Sequence, residues 1–410
     1  MNNETSILLI IPNLDFGGAQ ESFSKLSTSL SKRYKIINVV FNANGMANYN
    51  LGGDLISLSI PQSRTWIGKL FRFFQRVKKL KKIKNEFNIS ISISFLEGAD
   101  YVNVLSRSGE KLILSVRGSK RFDQNIKGIV GFCRHKIFIP YFYNRADLIV
   151  TLSQGVQGEL RTFYGIRRSI LVLYNGFNMK GINSKSKEQL SEIEHNIFTS
   201  PVIISHGRFA IEKGFNYLIE IFSHFEGHND YRLLLIGDGS ERESLVAQCK
   251  KMKMDYCDLS VRFEPNCKIY FLGYTQNPFK YLANAYCFVS TSLHEGFGNS
   301  IVEAMACGLP ILAADSPYGA REILVKDFDH HGEITYPYFG DFGLLLPDLN
   351  NMEGRKFWSN NLEKILSKNL DKYRKLSIRR ATDFDELINF EGWISAVEAL
   401  TKKNVENIDS

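Results

Sequence analysis

Short, unbroken apolar runs alternate along this chain with stretches in which apolar residues recur every three or four positions. The first run is Ser6 to Pro12; a glycine turn, Phe16-Gly17-Gly18, follows it, and residues 19–30 have the spacing of a helix. Residues 36–41, 89–95, 111–116 and 147–152 are short and rich in β-branched side chains, which predicts the strands of a doubly wound sheet. The polar stretch 181–200 breaks the rhythm and reads as a linker with a short surface helix. Beyond it, strands are expected at 202–205, 233–236, 269–271, 287–290 and 310–313, with helices beginning near Phe215, Ser240, Phe279, Asn299 and Gly319. The expected fold is therefore α/β, with two doubly wound Rossmann-like domains at 1–180 and 201–380 facing across a cleft. The linker 181–200 joins them, and residues 381–410 carry a C-terminal helix, 387–400.

The chain has 410 residues, with 51 Lys and Arg against 43 Asp and Glu, a formal charge of +8. Its 44% hydrophobic content supports sizeable cores and excludes a disordered chain. No apolar run is long enough to span a bilayer, and the run at Ile7 is too short for a secretory signal, so a cytoplasmic location is expected. The six cysteines form no C-x-x-C pair and have no histidine at zinc spacing, which argues for reduced thiols and no structural metal.

The most informative motif runs from Glu295 through Gly296, Phe297, Gly298, Asn299 and Ser300 to Glu303, with Gly308-Leu-Pro310 after it. A strand, a two-glycine loop and a helix start in this order point the backbone N–H groups of Gly298, Asn299 and Ser300 outward as a diphosphate cradle. Glu303 suits ribose hydroxyls and Glu295 a sugar ring, since carboxylates accept hydrogen bonds from vicinal hydroxyls. A second motif, Ser205-His-Gly-Arg208 to Lys213-Gly214, follows the first strand of the second domain. Arg208 can hold phosphate in a fork and Lys213 can neutralise a diphosphate leaving group, although either residue alone reads equally as a solvated surface cation. Gly237-Asp238-Gly239 forms a tight turn before a Ser240-x-x-Glu243 capping box, and Gly17-Gly18 either offers N–H groups at a helix start or is a steric turn.

In order and spacing these motifs resemble the retaining nucleotide-sugar glycosyltransferases of family four, of the bacterial surface-polysaccharide type with the GT-B fold. The resemblance takes in Gly17-Gly18-Ala-Gln, Ala146-Asp147 to Ser153-Gln, Tyr174-Asn175-Gly176, Gly207-Arg208, Lys213-Gly214, Gly237-Asp-Gly239, Phe271-Leu-Gly273 and Glu295 to Glu303, most of the chain. It implies that Arg208 and Lys213 bind the donor diphosphate, Glu303 the ribose, Glu295 the transferred sugar, and the Gly273 region the base. Gly17, Gly18, Gly296, Phe297, Gly298, Asn299 and Ser300 would complete the donor site, and the C-terminal helix, with Trp393 as anchor, would cross back to the first domain. Such an enzyme transfers its sugar with retention, uses the leaving diphosphate as base, and needs neither metal nor cofactor. One departure stands out. Many members carry a histidine where this chain has Arg117, which cannot serve as a base at neutral pH and reads as a ligand for the donor or an anionic acceptor, or as half of an ion pair. His135 reads as a surface histidine, and the Asp-Phe-Asp triplets at 327–329 and 383–385 lack the strand context of a metal site.

Lys69 to Lys84 holds eight Lys and Arg and no acid, with apolar residues three or four apart. Such a helix either lies on anionic lipid headgroups or packs its stripe on its own domain. The membrane reading makes the protein peripheral on the inner face of the cytoplasmic membrane and favours a lipid-linked or saccharide acceptor, with UDP sugars preferred as donors. A nucleotide-sugar epimerase of the same fold is the nearest rival. Nucleic acid is not an expected partner, because no recognition fold or base-stacking motif accompanies the basic helix.

Overall fold

The structure, a computed structural model, describes residues 5–15, 17–43, 49–61, 63–122, 128–225, 230–328 and 332–405; Phe16 of the expected glycine turn and Asp329 lie outside them. The chain divides into two compact units, Met1–Gly176 with Leu387–Ser410, and Phe177–Glu386.

The first unit holds β1 (Ser6–Ile11), α1 (Gly18–Leu30), β2 (Lys35–Val40), β3 (Asp54–Ser57), α2 (Trp66–Glu86), β4 (Ile91–Phe95), α3 (Glu97–Leu105) and β5 (Lys111–Val116). It continues through α4 (Gly128–Cys133), a π turn (Arg134–Phe138), α5 (Ile139–Tyr143), β6 (Leu148–Thr151), α6 (Gln154–Thr162) and β7 (Ile170–Val172). The strands form a sheet in the order β3-β2-β1-β4-β5-β6-β7, parallel at every pairing. Strands buried on both faces need apolar residues at successive positions, and Ile7 to Ile11 are all buried. On one face Ile7, Leu9 and Ile11 pack with Phe23 of α1 and with Trp393 and Val397; on the other Leu8, Ile10, Ile37 and Val39 pack with Leu80 and Ile83 of α2 and Ala99 and Val102 of α3.

The second unit starts with α7 (Met179–Ser186) and α8 (Glu192–Ile197), then β8 (Val202–His206), α9 (Phe215–His224), β9 (Arg232–Ile236), α10 (Arg242–Lys251), β10 (Tyr256–Asp258) and β11 (Ile269–Gly273). After these come α11 (Phe279–Asn284), β12 (Cys287–Ser290), α12 (Asn299–Ala306), β13 (Ile311–Ala314), α13 (Ala320–Leu324), β14 (Tyr338–Phe339), β15 (Leu344–Leu346), α14 (Met352–Leu366) and α15 (Asp371–Thr382). Its sheet runs β10-β11-β9-β8-β12-β13-β15-β14, and only the β14–β15 pair is antiparallel. The last helix, α16 (Glu386–Val405), belongs to the first unit from Leu387 onward, and Trp393 stacks on Phe95 there with ring centroids 6.4 Å apart.

Residues 181–200, read from sequence as linker plus surface helix, are instead built into the second unit. Asn178 caps α7 and a Ser191–Glu194 capping box starts α8, so the polar composition reflects two consecutive helix starts. Ile182 and Ile197 are buried, and Glu194 accepts from Lys280 at 2.9 Å and from Tyr281. The unit accordingly begins at Phe177, which bridges Asp385.

Candidate active site

In a doubly wound sheet the ligand crevice opens at the C-terminal strand ends where the strand order reverses. In the second unit that point lies between β8 and β12, neighbours in the sheet with β9 beyond one and β13 beyond the other. The loops after these strands are tied by backbone contacts that leave no room for side chains. Gly214 has φ 63°, and a Cβ there would stand 2.2 Å from the Thr291 carbonyl oxygen; Leu293 N–H donates to Glu212 O at 2.9 Å. A Cβ at Gly239 would stand 2.4 Å from Phe209 O, and Phe209 N–H donates to Asp238 O at 2.8 Å.

This lacing brings together residues far apart in sequence. Lys213 Nζ lies 2.5 Å from Glu295 Oε1, which also accepts from Ser292 Oγ at 2.8 Å. Both side chains are largely enclosed. Arg208 is different: its side chain is 72% exposed and pairs with Glu212 at 2.6 Å, one turn along the same loop. Burial works against the Glu212 carboxylate, but hydrogen bonds from its own backbone N–H and from Arg208 hold it below the ordinary carboxylate range. Glu303 lies within the first turns of α12, where Oε2 is 2.8 Å from His206 Nε2, a close approach that is not aligned as a hydrogen bond. His206 ends β8 and packs on Phe288, so it is a site residue whose sequence neighbours do not reveal its role.

Gly298 caps α12 with φ 103°, a left-handed conformation that glycine adopts without strain, and Asn299 and Ser300 begin the helix. The N–H groups of a first helical turn have no intrahelical acceptor, which makes this end receptive to an anion. The loop is anchored from beneath: Phe297 is buried against Phe384, and Glu295 N–H donates to Pro317 O at 3.3 Å. The Phe297 side chain therefore serves packing, and only its backbone is left for a ligand. Gly273 ends β11 with φ 82° beside the guanidinium of Arg242, which is held by Asp258 at 2.6 Å and Ser260 at 2.9 Å. The expected Ser240–Glu243 capping box does not form. The α10 helix begins at Arg242 with Glu241 in the cap position, because Glu241 N–H is drawn to Phe209 O and the turn closes later.

In the first unit, Gly17 precedes α1 in extended backbone and Gly18 is its first residue. Arg117, after β5, donates to Ser22 Oγ at 2.9 Å, one turn into that helix, and to Asn175 Oδ1. Its guanidinium lies 5.6 Å from the Phe95 ring centre, its Nε is buried without a partner, and burial pushes its pKa down to about 10. Among the described residues its hydrogen-bond partners, Ser22 and Asn175, are neutral acceptors rather than carboxylates. His135 contacts Tyr164 OH at 2.7 Å on the outer helical segment. Of the Asp-Phe-Asp triplets, Asp383 pairs with Arg380 at 2.8 Å, and Asp329 is outside the described residues.

The Lys69 to Lys84 stretch lies within α2 but divides in two. Leu80 and Ile83 enter the core, while Trp66, Ile67, Leu70, Phe71 and Phe74 remain exposed. Lys84 is not available to a surface ligand: it is buried, with Nζ 2.6 Å from Glu110 Oε1. Among the described residues no helix is long and apolar enough to cross a membrane.

Residues 186–338 match the family described as "Glycosyl transferases group 1". The chain is 28% identical to an uncharacterized glycosyltransferase of Methanocaldococcus jannaschii, over 77% of this chain and 80% of that protein. It is 25% identical to the N-acetylgalactosamine-N,N'-diacetylbacillosaminyl-diphospho-undecaprenol 4-alpha-N-acetylgalactosaminyltransferase of Campylobacter jejuni, over 78% of this chain and 83% of the relative. Among solved structures, Anabaena HepE in complex with UDP superposes with a TM-score of 0.67 at 18% identity, covering 96% of this chain and 100% of that one.

Proposed function

We propose that the chain is a group 1 glycosyltransferase of GT-B fold and that it moves a hexose or N-acetylhexosamine from UDP to a lipid-linked saccharide, with retention and without a metal, in lipopolysaccharide or other surface-polysaccharide synthesis. The observation that carries this reading is the convergence at one strand-order reversal of Lys213, Glu295, Glu303 and the N-terminus of α12. The helix N-terminus and Lys213 supply positive charge where the sugar–phosphate bond breaks and the diphosphate gains charge. That is the role a metal plays in other phosphate-leaving reactions. Glu303 accepts from the ribose hydroxyls and Glu295 from the sugar. The acceptor hydroxyl attacks on the face the diphosphate leaves and gives its proton to a departing phosphate oxygen, so no protein base is required and the arginine at position 117 is compatible with turnover.

Support for the donor comes from HepE, solved with UDP, and for the acceptor from the diphospho-undecaprenol substrate in the name of the Campylobacter relative. The cationic side of α2 supports a peripheral location on the inner face of the cytoplasmic membrane, as a surface suited to anionic lipid. A thermal-shift series against UDP, GDP and ADP tests the donor assignment. UDP is expected to raise the melting temperature most, as a ligand that binds only the folded chain must. A larger shift with GDP or ADP, or none with any, contradicts the assignment.

A further inference from the structure

The exposed apolar residues of the first unit are concentrated on one side of its sheet. Trp66, Ile67, Leu70, Phe71 and Phe74 occupy the first half of α2, and Ile129, Val130, Phe132, Ile137 and Phe138 belong to the helical segment 128–143. Trp66 is 74% exposed and Ile129 83%. These two elements flank α3 on the same sheet face: α2 and α3 share the core beneath Leu8 and Ile10, and Tyr101 of α3 packs on Phe138 and Phe142. Both apolar patches have exposed cations beside them. In the second, Arg121, Lys136 and Arg145 are exposed, while Lys120 and Arg134 are buried on Glu97. Beside α2 a cavity of about 510 Å³ is lined by Phe71 and Phe74 together with Arg72, Lys78 and Lys79.

An ordinary surface helix turns such residues inward, and large apolar side chains grouped on a surface mark a contact with something apolar. The π turn Arg134–Phe138 lies inside the second patch, and its buried Arg134 is clamped by Glu97 at 2.6 and 2.7 Å, so the outward display of Ile137 and Phe138 is held in place. Exposed apolar side chains with exposed cations beside them match the interfacial layer of an anionic bilayer, where acyl chains lie below phosphate. A protein partner would need matching acids around an apolar centre.

We infer that α2 and the 128–143 segment form a two-element anchor that inserts Trp66, Phe71, Ile129, Phe132 and their neighbours into the interfacial layer of an anionic membrane. The inference rests on the reading that α2 meets such a membrane and adds that contact is by insertion, through a second element, rather than by charge alone.

Trp66 provides the probe, because Trp358 and Trp393, the other two tryptophans, are buried at 0% and 2%. The full chain is mixed with vesicles of phosphatidylglycerol and phosphatidylcholine, with and without brominated acyl chains. Insertion predicts a blue-shifted emission, quenching by brominated lipid that disappears in Trp66→Phe, and binding that persists in part at about 0.5 M salt, where surface charge is largely screened. The triple variant Ile129→Ser/Phe132→Ser/Ile137→Ser, altered only at exposed positions, is expected to keep its melting temperature and lose at least about tenfold in partitioning. Binding that salt abolishes while Trp66 stays unquenched overturns insertion but leaves the membrane reading standing. Unchanged partitioning of the triple variant removes the second element. Self-association without lipid that the triple variant abolishes overturns the inference in favour of a protein interface. Sugar transfer to a lipid-linked acceptor in detergent is measured alongside, so that failure of the anchor is separable from failure of the proposed reaction.

Discussion

Lys213 and Arg208 are cations on the same loop, but their surroundings assign them different work. Lys213 is enclosed and paired with Glu295, whereas Arg208 is exposed and pairs with Glu212 on its own loop. A pre-positioned charge stabilises a transition state more than one that must first be ordered. Lys213→Ala is therefore expected to lower kcat about a hundredfold or more, and Arg208→Ala to raise KM for the nucleotide sugar more than it lowers kcat; initial-rate kinetics separate the two. Asp100 in the first unit offers a prediction in pH. It is fully buried, accepts from Ser94 Oγ at 2.7 Å and Tyr143 OH at 2.9 Å, and burial pushes its carboxyl up to about 7. A carboxyl raised in the folded chain holds its proton more tightly than in the unfolded chain. Its contribution to stability is complete below the ordinary carboxylate range and is lost as pH rises toward 7. Unfolding free energies from urea titrations of the native chain should fall across that window with a slope from this group of no more than about 1.4 kcal/mol per pH unit, and the profile of Asp100→Asn should be flatter. Parallel profiles would show that Asp100 does not titrate there.

The loops at the strand ends work because neighbouring elements hold them, and the helix starts expose what they hold. Gly319 precedes α13 with φ 86°, and a Cβ there would stand 2.0 Å from the carbonyl oxygen of Phe297, inside the Glu295 to Ser300 loop. Gly319→Ala is expected to cost about 1–3 kcal/mol in stability and to shrink the thermal shift given by UDP. Gly98→Ala, in α3 with nothing within 4 Å, should change neither by more than about 0.5 kcal/mol. The contrast shows which parts of the structure were readable in advance. Buried central strands such as β1 and β5 announce themselves through unbroken apolar runs, and the Glu295 to Glu303 spacing identifies a helix start because both ends of that motif are local. Strand β3 was not readable: it is four residues long, at the sheet edge, with no buried position. Strands β7 and β10, of three residues each, carry too short a pattern to stand out. Contacts such as Lys213 with Glu295, 82 residues apart, and Arg117 with Asn175, 58 apart, depend on sheet order and loop lacing that no local window contains.

Each sheet reverses its strand order at its centre, between β1 and β4 and between β8 and β12, and each of these points has a glycine-containing helix start nearby: Gly18 of α1 after β1, and Gly298 of α12 after β12. The surplus of eight positive charges has corresponding uses. Lys213 and Arg208 belong to the proposed donor site and Arg117 is held by the neutral Ser22 and Asn175 in the first unit, while the exposed lysines and arginines of α2 border an apolar surface. Lys84 is removed from that surface set by burial, a distinction that composition could not make. These features fit an enzyme that takes a soluble anionic donor and an acceptor held at a lipid surface. Nuclear magnetic resonance of the product formed from an α-linked UDP sugar and a lipid-linked saccharide tests that assignment. The proposed reaction yields one new glycosidic bond with the α-configuration of the donor kept, in the presence of a chelator. Inverted product, or free sugar and epimer released without an acceptor, would contradict it.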